Sequence, residues 1–317
     1  MSTTAAIDRG LLREALASVL ACPRCEGSLD LSDDTGHVIC GRCGASSTID
    51  DGIVDLSAVT ETAQEGERHF RDRLAGEERA SGRAALLDVI ARHHGVAVMR
   101  RRAREFAGHF GDRDWLLDIG IGWGWHWMER ATGPRIIGVD ISMGNLRLAR
   151  RMLGESSHVL LVRADAVALP IRSRSVSGVW SVQALQHMPD DVLARTRNEL
   201  DRVLRDDFRI EIANLNPSLL LRAAYRLRGK RLHRRGRTDT MELNRRTAWE
   251  WATIWRDFRP GRSRVSTRHS ELFFHPDLFL RPRPYPLRLE RALSRVPLLP
   301  GLIARQVDVA VVSAGGA

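Results

Sequence analysis

Beyond residue 43 the chain has no cysteine, and nowhere does it run for the roughly 20 apolar residues that span a bilayer. The first absence excludes a disulfide-stapled scaffold over most of the 317 residues. The second excludes a transmembrane helix, because the most apolar late run, "VPLLPGLIA", is short and broken by prolines. Internal repeats and low-complexity segments are also missing. The first twenty residues lack the uncharged core of a signal peptide, since Asp8, Arg9, Arg13 and Glu14 fall inside an amphipathic pattern. A soluble, cytoplasmic protein is the expectation.

What is present bounds the rest. A hydrophobic content of 43% is enough to bury a core, and the length suits one main domain with a small appendage. The net charge of +10 comes almost wholly from arginine and favours polyanions, RNA or an anionic membrane surface, without singling one out.

All four cysteines sit in two knuckles, "CPRC" (Cys22, Cys25) and "CGRC" (Cys40, Cys43), with 14 residues between them. Two tight turns that each offer two thiolates suit a tetrahedral zinc ion, and four sulfurs leave no position for water, so the expected zinc is structural. Around the knuckles, "ACPRCEGSLDL" and "CGRCGASSTIDDGIVDLS" resemble the small zinc-ribbon family that activates or accompanies methyltransferases. The resemblance implies a ribbon able to touch a partner or substrate, or to pack on a catalytic domain.

The chain divides into residues 1–57 (N-terminal helix and ribbon), a charged and exposed helical linker over 58–83, and a main domain over 84–317. A helix is predicted from Ala84 to Phe110. Strands at "WLLDI", "RIIGVD", "HVLLVRAD", "GVWSV" and "FRIEIANL" then alternate with helices at 125–132, 143–153 and 190–204, which argues for a parallel sheet covered on both faces. "RQVDVAVVSA" returns to the sheet after an insertion at about 216–260. Within that insertion Trp251, Trp255 and Phe258 share one helix face and read as core.

The stretch "LLDIGIGWGWHWMER" follows a strand ending in Asp118 with Gly120, Gly122 and Gly124, a turn stripped of side chains so that a ligand can reach the backbone amides. The next strand ends in Asp140, placed to bind the two hydroxyls of a ribose, and the third in Asp165 and Ala166, placed to read an adenine edge. In order and spacing these landmarks resemble class I S-adenosylmethionine-dependent methyltransferases over about residues 84–215. The resemblance implies a Rossmann-like seven-stranded α/β sheet and assigns Gly120, Gly122 and Gly124 to the methionine part of the cofactor. It gives Asp118 to the amino end, Asp140 with Ile141 to the ribose, Asp165 with Ala166 to adenine, and Ser181 to Gln183 to the methionine and the transferred methyl. The sequence departs from the family where "RVL" continues into Arg205, Asp206 and Asp207 rather than a Pro-Gly-Gly turn, and where Trp123, Trp125 and Trp127 crowd the glycine turn. Trp127 and Trp125 are expected between helix and sheet, with Trp123 at the cofactor mouth.

Methyl transfer from a sulfonium needs alignment above all, so a single base suffices, and His187 beyond the fourth strand is the candidate. His93, His94 and His126 read as surface or packing residues. A small-molecule or glycan acceptor, methylated on oxygen, is the first expectation. The alternative is RNA, methylated on a guanine nitrogen and held by the basic run Arg222, Arg226, Arg228, Lys230, Arg231, Arg234 and Arg235. A non-catalytic cofactor-binding scaffold is the third reading.

Overall fold

The computed structural model describes residues 8–32, 36–57, 72–73, 75–76, 82–128, 132–154, 158–229, 235, 242–278 and 280–315. Among them an eleven-stranded sheet runs unbroken from the ribbon to the far edge of the main domain.

Helix α1 (Arg9–Ser18) is capped by the Asp8 side chain, which accepts from Leu11 N, and it buries Leu11, Leu12, Ala15 and Leu16 at helical spacing. Four short antiparallel strands follow, β1 (Leu29–Leu31), β2 (His37–Cys40), β3 (Ser46–Asp50) and β4 (Ile53–Asp55). Of the expected linker, most lies outside the described residues. The part that is described is not merely exposed: Ala75 is buried, and Asp72 Oδ1 accepts from Ser142 Oγ (2.6 Å) and Gly144 N (2.9 Å).

The helix expected over 84–110 is two helices, α2 (Arg83–His93) and α3 (Val96–Ala107). The break falls at Gly95, whose N–H donates to the buried Glu271 carboxylate (2.9 Å) and where a Cβ would stand 2.3 Å from that carboxylate's Oε1. Periodicity registers the apolar face of both helices and is blind to the turn between them.

The main sheet contains β5 (Trp115–Ile119), β6 (Arg135–Asp140), β7 (Val159–Arg163), β8 (Val176–Val182) and β9 (Leu204–Leu215). Helices α4 (Met143–Leu153) and α5 (Asp190–Val203) are the crossovers after β6 and β8. The helix expected over 125–132 is a single 3₁₀ turn at Trp125–Trp127 among the described residues. After β9 come α6 (Leu219–Leu227), α7 (Ala248–Arg256), β10 (Ser263–Ser270), α8 (Leu287–Leu293), α9 (Leu299–Ile303) and β11 (Gln306–Ser313). Within the main domain the order is β7-β6-β5-β8-β9-β11-β10, parallel from β7 to β9, with β11 inserted antiparallel between β9 and β10.

Where the Pro-Gly-Gly turn is missing, the register of β9 on β8 jumps from Leu204 opposite Val176 to Arg209 opposite Gly178. The charged residues 205–207 are thereby looped out to solvent and the parallel pairing resumes beyond them.

No gap in the sheet marks the expected boundary at residue 57. β4 pairs parallel with β7, Ile53 opposite Leu161 and Val54 opposite Val162, and Asp55 meets Arg163 at 2.8 Å. One hydrophobic cluster joins Leu12 of α1 and Val38 and Val54 of the ribbon to Ile137, Leu160 and Val179 of the main sheet. Trp251, Trp255 and Phe258 are buried in the same cluster, in agreement with their reading as core. No helix among the described residues is long and apolar enough to cross a membrane.

Candidate active site and cysteine cluster

A cavity of about 590 Å³ opens at the carboxyl ends of the parallel strands. Its floor is Ile119 at the end of β5 and Gly120 after it, Val139 and Asp140 at the end of β6, Ala164 beyond β7 and Val182 at the tip of β8, where open α/β sheets bind ligands. Val89, Ile90 and His93 of α2, with His94 just after it, form one side.

Gly120 and Gly122 hold φ of 66° and 56°, in the left-handed region that a side chain disfavours. At Gly120 a Cβ would collide with Ala184 Cβ at 2.3 Å, and Gly122 itself lines the cavity. The glycine amides of the turn are already engaged within the fold. Gly120 N and Ile121 N donate to Val139 O (2.8 and 3.1 Å) and Gly122 N to Asp140 Oδ2 (3.0 Å), so the glycines supply room rather than donors. Gly124, also left-handed, sits against Leu153 of α4.

Asp140 lines the cavity with its carboxylate held on two sides: Oδ2 by Gly122 N, and Oδ1 by Ser142 N at 2.9 Å. Ile141 lines the cavity beside it. Asp165 is buried, its Oδ1 accepting from Val167 N (3.1 Å) while Oδ2 has no partner among the described residues. Burial pushes its pKa up, against the pull of that amide and the positive charge of Arg195. Its neighbour Ala166 lines the cavity. Gln183, at φ 56°, also lines it, and its buried Nε2 has no partner among the described residues.

Four expected site residues do not line the cavity: Gly124, the buried Asp165, Asp118 and Ser181. Asp118 is fully buried and does not line the cavity; its Oδ2 accepts from Trp127 Nε1 (2.6 Å) and His126 Nε2 (2.7 Å), because the tryptophan that follows the glycine turn folds back onto the strand end. Ser181 is also fully buried, and its hydroxyl donates to Ile119 O at 2.9 Å, tying β8 to β5. Trp127 packs in the core beside Trp180, while Trp123 and Trp125 both border the cavity.

The histidines set aside in the sequence belong here. His93, His94 and His126 line the cavity together with His187. No spacing rule could have found them, since α2 and the glycine turn, distant in sequence, meet only in the fold, where the His94 and Trp125 rings lie 5.4 Å apart; the signal available was the Gly95 that turns the chain back over the site. His187 Nδ1 lies 2.6 Å from Glu242 O, and a carbonyl only accepts, so Nδ1 carries the proton and Nε2 is the acceptor nitrogen of the neutral ring. Leu215 N donates to Gln186 Oε1 (2.7 Å), which fixes that amide's orientation and turns its NH₂ toward His187 Nε2 at 3.4 Å.

In the ribbon the four cysteine sulfurs all lie within 4.8 Å of one another, with Cys22–Cys43 at 3.7 Å and Cys25–Cys40 at 3.5 Å. Zinc–thiolate bonds of about 2.3 Å would set tetrahedral sulfurs roughly 3.8 Å apart, so the donor set fits the metal. Within this cluster the Cys40 thiol is drawn down to about 6, chiefly by the backbone N–H of Cys43, while the Cys22 thiol is pushed up, chiefly by burial, and that of Cys25 is pushed up to about 12.

Of the basic run, Lys230, Arg231 and Arg234 lie outside the described residues. Arg222, Arg226 and Arg228 are exposed on or just after α6, and Arg235 is paired with Glu250 at 2.8 Å.

Residues 116–207 match a family model described as "Methyltransferase domain". Over 106 residues the chain is 36% identical to the methyltransferase GfsG of Streptomyces halstedii, covering 32% of this chain and 37% of that one. Over 129 residues it is 33% identical to the malonyl-[acyl-carrier protein] O-methyltransferase of Gallionella capsiferriformans, covering 37% of this chain and 44% of that protein. The chain thus spans less than half the length of both relatives. Among solved structures it resembles a chain from the complex between the Haloferax volcanii Trm112 methyltransferase activator and a methyltransferase, with TM-score 0.52 and 18% identity over 78% of this chain and 96% of that one. It also resembles the Haemonchus contortus phosphoethanolamine N-methyltransferase 2 bound to S-adenosyl-L-methionine, with TM-score 0.51 and 15% identity over 77% of this chain and 59% of that one.

Proposed function

We propose that this chain, built on a class I methyltransferase fold, is an S-adenosylmethionine-dependent methyltransferase acting on oxygen in a small-molecule or glycan acceptor. The observation that carries the reading is the strand-end cavity, where room left by Gly120 and Gly122 adjoins the braced Asp140 carboxylate and the Gln183 side chain, with Asp165 buried between the lining residues Ala164 and Ala166. A nucleoside fits that donor-acceptor set. Asp140 would take the ribose hydroxyls, with Ile141 against the sugar, and Asp165 would accept from the adenine amine while Ala166 leaves space for the ring. Gln183 Nε2, a donor without a partner among the described residues, would meet the methionine carboxylate.

Bound there, the cofactor would supply an electrophilic methyl carbon; the chain's own part is alignment and proton removal. His187 presents an acceptor Nε2 whose tautomer is held by the Glu242 carbonyl, suited to taking a proton from an acceptor hydroxyl. Oxygen as the target is supported by the O-methyltransferase among the relatives.

Incubation with methyl-labelled cofactor and extract of the source organism, divided into RNA and small-molecule or glycan pools, tests the acceptor class. Label confined to ribonuclease-sensitive material would replace this reading with RNA methylation, and cofactor binding without labelling of either pool would leave the scaffold reading. The four thiolates would hold one structural zinc, and metal analysis of protein purified under reducing conditions should find one per chain.

A further inference from the structure

The arginines of α6 have neighbours that a nucleic-acid surface does not need. Among the described residues, most of the exposed large aliphatic side chains fall in two short segments, α6 and the stretch 287–303. On α6, Leu219 is 54% exposed and Leu227 89%, while Leu220 and Leu227, seven residues apart, share a helix face. In the second segment Leu289, Val296 and Leu302 are exposed, and Leu298 is 85% exposed. Leu298 also holds φ at 64°, a left-handed conformation costly for a branched side chain, so the turn between α8 and α9 thrusts a leucine into solvent under strain.

The two segments are one surface. Asn216, at the root of α6, donates from Nδ2 to Gly301 O (3.3 Å) and Ala304 O (3.1 Å), and its backbone N–H donates to Arg305 O (2.8 Å). Leu221 is buried and anchors the helix.

Charge decides what covers it. The exposed ionisable residues of these segments are all arginines: Arg222, Arg226 and Arg228 beside the α6 leucines, and Arg288, Arg291 and Arg295 beside the others. The one acid, Glu290, is buried and accepts from the Tyr285 hydroxyl and from Leu272 N. Leucines flanked by cations with no exposed anion match the boundary between lipid headgroups and acyl chains, where aliphatic side chains enter the tails and guanidinium groups stay at the phosphates.

We propose that α6 and the α8–α9 turn form a docking surface for an anionic lipid bilayer, binding in the interface plane without spanning it. This surface lies outside the cofactor cavity, and its function as a dock does not depend on methyl transfer.

The test is co-sedimentation of the full chain with phosphatidylcholine vesicles, with and without roughly one-third phosphatidylglycerol. Binding should rise about tenfold or more with the anionic lipid and weaken as salt is raised. The double variant Leu227→Asp, Leu298→Asp should lose about tenfold in vesicle binding. Its circular dichroism and melting temperature should be unchanged, because both side chains stand in solvent. No binding to anionic vesicles, or binding that the leucine variant leaves intact, overturns the proposal. So does a stable dimer that the variant dissolves without any vesicle binding, or an RNA oligonucleotide that binds independently of the leucines while vesicles do not.

Discussion

The two walls of the cavity are built on different principles. The wall proposed for the cofactor comes from consecutive strand ends, each handing one short loop to the same floor, and its central acid is braced by amides two to eighteen residues away. The opposite wall is assembled from α2, the β8 tip and the segment near Glu242, held together by Glu271 on Gly95 and by Gln186 between Leu215 and His187. A wall made by strand order is common to a fold, whereas a wall made of distant side chains is particular to a chain. Cofactor chemistry should therefore fail abruptly when one acid is lost, and acceptor chemistry in smaller steps.

The sharpest test of that contrast is Asp140→Ala. Removing a carboxylate that would take two ribose hydroxyls should weaken cofactor binding by about 10³-fold. Calorimetry checks the affinity, with thermal unfolding to show that the fold survives. Unchanged affinity would dissolve the contrast, since the cofactor wall would then have no centre. On the other wall, His187→Gln should lower kcat by about 100-fold and leave cofactor affinity alone. An equal loss of affinity would mean that His187 serves the cofactor instead.

The smallest expected effect concerns Asp165. In the proposed role its carboxylate form would accept from the adenine amine, so that part of the affinity should be present above its pKa and lost as pH falls through it. Because burial raises that pKa, the loss should set in at a higher pH than for an ordinary aspartate. Asp165→Asn should bind about tenfold more weakly with a flat profile over the same range, read by calorimetry at several pH values. A wild-type profile already flat would remove Asp165 from the adenine end.

The same difference explains what the sequence disclosed. Strand, glycine turn, strand and acid all lie between Trp115 and Asp140, so the floor from Gly120 to Asp140 could be placed from spacing, as could the grouping of four cysteines in two knuckles. Asp118 and Ser181 could not be separated from cavity-lining neighbours, because alternation along a strand does not reveal that Trp127 will fold back onto one and Ile119 will engage the other. The parallel pairing of β4 with β7 joins segments more than a hundred residues apart, and the pattern "IVD" carries no signal of its partner. His93, His94 and His126 reach the cavity through tertiary contacts that no local periodicity encodes.

That pairing has a consequence for handling and evolution alike. Without residues 1–57, β7 would present a bare row of amides and carbonyls along the apolar run Val159–Val162, a template for joining one molecule to the next. With them, the outermost strand on that side is β1, only three residues long. The ribbon would therefore act against self-association, and a chain cut back to residue 82 should scatter light at concentrations where the intact protein stays dispersed.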